Sequence, residues 1–139
     1  MIAMDTLGSL DQKKHVLIVD DDLELALMYQ ALLQGRGLRA STAGNGREAL
    51  KLVKHGDVDA ILCDLNMPEL AGDLFYLEVG RAHPQLLKRF VFLTGYADSP
   101  IYEGFLRGVK APVLTKPVTF NQLLDKLNTV LAIQPPTPR

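Results

Sequence analysis

The chain has one cysteine, Cys63, and no tryptophan. A lone cysteine excludes an intramolecular disulfide framework and fits a reducing, cytoplasmic setting. Neither sign of charge dominates: 15 Lys and Arg stand against 16 Asp and Glu, a formal net charge of −1. That balance leaves no electrostatic footprint for nucleic acid or for an anionic membrane surface. No apolar run approaches the roughly 20 residues of a membrane span. The segment Met1 to Lys14 carries Asp5 and Asp11 and lacks the continuous apolar stretch of a signal peptide. There is no internal repeat, and low complexity is confined to the proline-rich end, residues 134–139.

What the chain does have is enough apolar material for one core: 139 residues, 47% of them hydrophobic. Residues 1–14 read as a flexible lead-in, 15–132 as a single domain, and 133–139 as a Pro-rich tail that cannot continue a helix. Within the domain, strand-like and helix-like segments alternate. Strands are expected at 15–20, 38–43, 59–64, 89–94 and 112–115. Their near-continuous apolar character indicates burial on both faces. Between them lie helical signals. Asn45-Gly46-Arg47-Glu48 fits a capping box, and Thr119 is placed to cap the last helix. Phe120, Leu123, Leu124, Leu127 and Leu131 then share one face. Leu25, Tyr29, Leu32 and Leu33 are the expected inner face of the first helix, which Gly35 and Gly37 end. Strands alternating with helices imply right-handed crossovers and a parallel sheet, a (βα)5 doubly wound α/β sandwich.

The chemistry sits where the apolar runs stop. Val16-Leu17-Ile18-Val19 ends in Asp20-Asp21-Asp22, and Ala60-Ile61-Leu62-Cys63 ends in Asp64. Phe90-Val91-Phe92-Leu93 ends in Thr94-Gly95, and Val113-Leu114-Thr115 ends in Lys116-Pro117. In an open parallel sheet, the C-terminal edge of the strands is where ligands bind. Two like charges about 4 Å apart repel by roughly 4 kcal/mol at an effective dielectric near 20. Asp20, Asp21 and Asp64 brought together therefore call for a hard divalent cation, and Mg²⁺ suits one or two carboxylates plus a phosphate oxygen. The plainer reading of Asp22 is a helix cap in an acidic first turn; that reading does not extend to Asp64, which precedes a proline turn. A carboxylate can attack phosphorus, a lysine can hold a phosphoryl oxygen, and a threonine hydroxyl can bond another. Taken singly, Lys116 is an ordinary surface lysine and Thr94 an ordinary strand residue; their joint placement at strand ends points to phosphoryl chemistry.

These motifs in this order resemble the response-regulator receiver domain of two-component signalling: Asp20-Asp21-Asp22, Asp64-Leu65-Asn66-Met67-Pro68 with Gly72, Thr94-Gly95, and Lys116-Pro117. The resemblance covers roughly residues 14–132. It implies a flavodoxin-like three-layer sandwich with strand order 2-1-3-4-5. It implies Asp64 as phospho-acceptor, Asp21 as a direct Mg²⁺ ligand, Asp20 as a ligand mainly through water, and the Asn66 backbone carbonyl as a further ligand. Thr94 and Lys116 would bind the phosphoryl oxygens, and Lys116-Pro117 would be a cis peptide. The donor would be a histidine kinase or histidine phosphotransfer protein. A homodimer would use the face of helix four, strand five and helix five.

The chain departs from the family at Val113, where an aromatic residue often stands. Tyr96 and Tyr102 are candidate substitutes for that switch; the plainer reading makes both partly exposed surface tyrosines. Tyr96 also occupies a position that influences dephosphorylation. In the fourth helical segment Gly104 and Gly108 each cost about 0.8–1 kcal/mol against Ala in a helix interior, so a marginal helix that shifts on phosphorylation is expected. Cys63 reads as a small buried hydrophobe. His15, His55 and His83 show no ligand spacing.

Three functional classes follow. The first is a phosphorylatable signalling module, not a turnover enzyme, expected to stand alone without an effector domain; a receiver cut from a hybrid histidine kinase is its close variant. The second is a binding-only receiver, disfavoured by the intact acidic and basic residues. The third is a Mg²⁺-dependent aspartyl-phosphate phosphohydrolase. It needs a general acid two residues after the nucleophile, where this chain has Asn66.

Overall fold

The computed structural model describes residues 13–67, 69–95 and 99–133. Five strands, β1 (His15–Val19), β2 (Arg39–Ala43), β3 (Ala60–Asp64), β4 (Phe90–Thr94) and β5 (Val113–Thr115), form one sheet in the order β2-β1-β3-β4-β5. Each neighbouring pair is parallel. Helices α1 (Leu23–Gln34), α2 (Gly46–Lys54), α3 (Gly72–Ala82), α4 (Ser99–Arg107) and α5 (Phe120–Leu131) make the crossovers, with a 3₁₀ segment at Pro84–Arg89 before β4. The expected strands are all present, each trimmed by about one residue at its ends, as strand boundaries commonly are.

The strands separate two apolar layers because successive side chains point to opposite faces. Leu17, Val19, Ile61, Cys63, Phe90 and Phe92 pack beneath α2, α3 and α4, meeting Ala49, Val53, Phe75, Val79 and Tyr102. Val16, Ile18, Leu62, Val91 and Leu93 pack beneath α1 and α5, meeting Ala26, Tyr29, Leu33, Leu123 and Leu127. Each fully buried Leu, Ile or Phe contributes about 1.5–3 kcal/mol over its exposed state.

Local signals set the helix ends. The Thr119 hydroxyl accepts from the Gln122 amide while the Gln122 side chain returns to the Thr119 N–H, a complete capping box at the start of α5. At α2 the box is only half as expected. Asn45 accepts from the Glu48 amide, but the Glu48 carboxylate takes the N–H of Gly44 rather than that of Asn45. Asp22 caps α1 by accepting from Leu25 N at 3.2 Å. The inner face of α1 matches expectation at Leu25, Tyr29 and Leu33 and departs from it at Leu32. Ala26, Tyr29 and Leu33 are buried, while Leu32 is on the outside with Leu23, Leu27 and Met28. Nine of the twelve positions of α1 are apolar, so hydrophobic spacing alone does not exclude Leu32 from the inner face.

At the sheet's N-terminal edge, His15 ties three segments together. Its Nε2 lies 2.7 Å from Ser41 Oγ, and its Nδ1 lies 3.2 Å from the Asp57 carbonyl and 3.3 Å from the Asp57 carboxylate. Its backbone N–H donates to Asp59. Burial pushes the Asp57 carboxyl up, but His15 and Arg39 together hold it below its ordinary value. Composition gave no hint of this network, because its members are far apart in sequence.

Candidate functional site

The sheet order places β1 beside β3, and the chain leaves β1 toward β2 on one side and returns to β3 on the other. A crevice opens at such a reversal, at the C-terminal strand ends. Asp20 follows β1 and Asp64 ends β3, so both carboxylates stand in it. The Asp20 backbone N–H donates to Ala43 O at 3.0 Å, extending the β1–β2 ladder by one residue and fixing where its side chain starts. On the other side, Lys116 N donates to Thr94 O at 2.9 Å, which extends the β4–β5 pairing and holds the lysine beside the sheet. The Lys116–Pro117 peptide is cis.

Four of the expected site residues come together. One ligand oxygen from each of Asp20, Asp21 and Asp64 lies within 4.8 Å of the others. Asp20 and Asp64 are buried, at 3% and 5% exposure, and Asp21 is exposed. Lys116 Nζ donates to Asp64 Oδ2 at 3.1 Å and lies 3.6 Å from Asp20 Oδ2, an ion pair at the second carboxylate without a hydrogen bond. The Asn66 backbone N–H donates to Asp64 Oδ1 at 3.2 Å, and the Asp22 N–H donates to Asp20 Oδ1 at 2.9 Å. Thr94 is buried, one residue past the register partner of Asp64, and its hydroxyl donates to Gly95 O at 3.3 Å.

Burial dominates the electrostatics. Desolvation pushes Asp20 up to about 6, opposed by the Asp22 amide and reinforced by the charge of Asp64. Asp64 is raised too, again by burial first, with Lys116 and the Asn66 amide pulling the other way. For Lys116, burial lowers the ammonium's pKa, but the carboxylates of Asp64 and Asp20 outweigh it and the net direction is up. One lysine therefore stands against two buried carboxylates and an exposed third. Asp20 Oδ2 is buried and has no hydrogen-bond partner among the described residues. A buried acceptor left in that state costs free energy unless a cation or water meets it. Three hard oxygen donors, one of them ion-paired to Lys116 but without a hydrogen bond, are the donor set that Mg²⁺ takes.

The loop after Asp64 is held by a close approach. A Cβ on Gly72 would stand 2.8 Å from both Asp64 O and Leu65 Cα. Only glycine lets α3 begin this near the strand end, and its N–H donates to Leu65 O at 3.0 Å. Cys63, one residue before Asp64, is fully buried on the opposite face. Of the switch candidates, Tyr102 is buried under α4 at 9% exposure, which corrects the reading of it as a surface tyrosine. Its side chain lies on the face of α4 that meets β4, as does Phe105. Val113 is 37% exposed on the outer strand. Tyr96 lies outside the described residues.

Comparison with known proteins agrees with this architecture. The family model for the response regulator receiver domain matches residues 16–128. The chain is 32% identical over 121 residues to the transcriptional regulatory protein ZraR of Klebsiella oxytoca, covering 87% of this chain and 27% of that protein. It is 31% identical over 121 residues to the sensor kinase CckA of Brucella abortus, covering 86% of this chain and 13% of that one. It thus spans about a quarter or less of these relatives. Among solved structures, the Vibrio cholerae chemotaxis protein CheY4 superposes with a TM-score of 0.74 at 32% identity, covering 85% of this chain and 98% of that one. A receiver domain protein of Clostridium thermocellum superposes with a TM-score of 0.77 at 24% identity, covering 85% and 94%, and shares the fold. The chain belongs to the response regulator receiver domain family.

Proposed function

We propose that this chain is a phospho-acceptor: Asp64 takes a phosphoryl group from a phosphohistidine of a kinase or phosphotransfer protein. The observation that carries the reading is Asp64 itself, a buried carboxylate at a strand end. One of its oxygens is held by the Asn66 amide and the other by Lys116, with Asp20 and Asp21 alongside. In the transfer, an Asp64 oxygen forms a bond to phosphorus as the phosphorus–nitrogen bond of the donor breaks, and the electron pair leaves with the imidazole. Such transfers need in-line positioning and charge neutralisation more than a strong base. Asp20, Asp21, Asp64 and the Asn66 carbonyl are the residues that would hold Mg²⁺, whose part is to neutralise the gathering charge. Lys116, shared here between two carboxylates, is placed to take a phosphoryl oxygen, and Thr94 another. Domain limits of 15–132 follow the same reading.

The partner reading is supported by α1. It starts beside the acidic site and turns Leu23, Leu27 and Met28 outward, an apolar strip suited to a helical partner. Exposed Ile101 and Val113 support a second contact, a homodimer through α4, β5 and α5. The domain works in the cytoplasm, in keeping with its buried free thiol; no described helix is long and apolar enough to cross a membrane. Relatives named as a transcriptional regulator and as a sensor kinase support both attachments, to an effector or to a kinase.

The test is intact mass after incubation with acetyl phosphate, with and without Mg²⁺, for the wild type and Asp64→Asn. A gain of one phosphoryl mass that needs both Mg²⁺ and Asp64 is expected. No gain in the wild type leaves a binding-only module.

A further inference from the structure

β4 carries two aromatic rings on the same face as Thr94, because Phe90, Phe92 and Thr94 alternate along it. Those rings do not end at the strand. Phe92 meets Phe105 of α4 edge-on at 5.5 Å between centroids and Tyr76 of α3 at 5.6 Å. Tyr76 and Phe105 meet each other at 5.5 Å, again edge-on, and Tyr76 meets Phe90 at 4.9 Å. The three rings Phe92, Tyr76 and Phe105 thus form a closed triangle joining one strand to two helices. Edge-to-face pairs are directional, so a turn of one ring changes the fit of the others.

The neighbouring strand offers no comparable connection. β5 is three residues long, and the residue in register with Phe92 is Val113, a short side chain that is 37% exposed. α4 carries a glycine beside one of these rings. Gly104 stands next to Phe105, and nothing lies within 4 Å of where its Cβ would be. Tyr102, Phe105 and Leu106 of this helix pack into the core layer on that face of the sheet.

We propose that this chain couples its acceptor site to α3 and α4 together through the Phe92–Tyr76–Phe105 triangle rather than through a side chain of β5. The proposal rests on the phospho-acceptor reading of Asp64. A change at Thr94 moves the end of β4. Phe92, two residues back on the same face, passes the change to Phe105 and Tyr76, so both helices respond as one unit. Tyr76 and Phe105 are positioning residues; neither touches the acidic site.

The experiment measures amide hydrogen exchange across α3 in the full chain, before and after phosphorylation with acetyl phosphate and Mg²⁺. α3 is read because a mere loosening of α4 leaves it unchanged. Phosphoryl uptake is followed in parallel by intact mass. The wild type should show altered exchange in α3 on phosphorylation. Phe105→Leu should take up the phosphoryl group normally yet lose roughly half or more of the α3 response, as expected when a packed network is cut. Phe105→Tyr, which keeps the ring, should restore it, and Val113→Ala should leave it intact. An α3 response that survives Phe105→Leu, or disappears in Val113→Ala, overturns the proposal. So does a phosphorylated wild type whose α3 exchange is unchanged, and that result leaves the acceptor reading standing. Absence of the phosphoryl mass in the wild type overturns both.

Discussion

Asp20 is buried, accepts one backbone hydrogen bond, and leaves its second oxygen with no bond of its own. Its carboxyl is raised from an ordinary 3.8 to about 6. Between those values the folded protein holds a proton that the unfolded chain has released. Without metal, this group therefore makes stability fall as pH rises through that window and adds no further change above it. A cation needs the ionised form, so Mg²⁺ and the proton compete for the same oxygen. The rise in melting temperature on adding Mg²⁺ should be small at pH 5 and larger at pH 7.5. A shift of equal size at both values would remove Asp20 from the metal site. Lys116 gives the complementary case. Replacing it with Met leaves Asp64 and Asp20 facing each other without their cation, and a loss on the order of 1–3 kcal/mol is expected at pH 8. Urea denaturation of Lys116→Met at pH 8 and pH 5 checks this. The loss should shrink at pH 5, where Asp20 protonates, and an equal loss at both would mean the lysine acts by packing.

At the scale of the element, two glycines have opposite duties. Gly104 sits inside α4 with open space around it, so Ala there meets nothing and removes backbone freedom from the unfolded chain. Gly104→Ala should stabilise the protein by about 0.5–1 kcal/mol in chemical denaturation. Gly72 begins α3 against the backbone of Asp64 and Leu65. Gly72→Ala must push the loop after Asp64 away and should cost about 1–3 kcal/mol; on the phospho-acceptor proposal, phosphoryl uptake at Asp64 should also slow. A Gly72→Ala protein as stable as the wild type would show that the approach can relax. These two residues also mark how far the sequence reaches. The gathering of Asp20, Asp64, Thr94 and Lys116 at strand ends was legible because an apolar run followed by Asp, Thr or Lys is a local pattern, and the alternation of elements gives those ends a common edge. Caps at Asp22, Asn45 and Thr119 were legible for the same reason. The inner face of α1 was legible at Leu25, Tyr29 and Leu33 but not at Leu32, which spacing does not separate from Ala26 as an inward position. The burial of Tyr102, the aromatic triangle and the His15–Ser41–Asp57 network were not either. Each depends on which strand lies beside which helix, a tertiary fact with no local signature.

For the whole molecule, the question is how much chain the domain needs. The buried apolar residues of the two layers run from Val16 to Val130. β1 needs the backbone just before it, because Arg39 N donates to Lys14 O at 2.9 Å and Arg39 Nε to Lys13 O at 3.1 Å. At the other end, Arg89 Nη2 donates to Ile133 O at 2.6 Å, joining the chain after α5 to the start of β4. Ile133 also packs against the layer beneath α1 and α5. A fragment of residues 13–133 should therefore keep every fold-defining contact, unfold in one cooperative step as single domains of this size do, and take up a phosphoryl group as the full chain does. Ending the fragment at residue 131 instead removes the acceptor for Arg89 and the Ile133 side chain together. That cut should lower stability by about 1–3 kcal/mol, while Arg89→Ala in the longer fragment should lose only the hydrogen-bonded share. Thermal melts of the full chain, the two fragments and the Arg89→Ala variant decide the matter. If 13–133 melts well below the full chain, residues beyond those limits carry part of the fold. If the shorter cut is harmless, the Arg89 contact closes nothing that the core has not already closed.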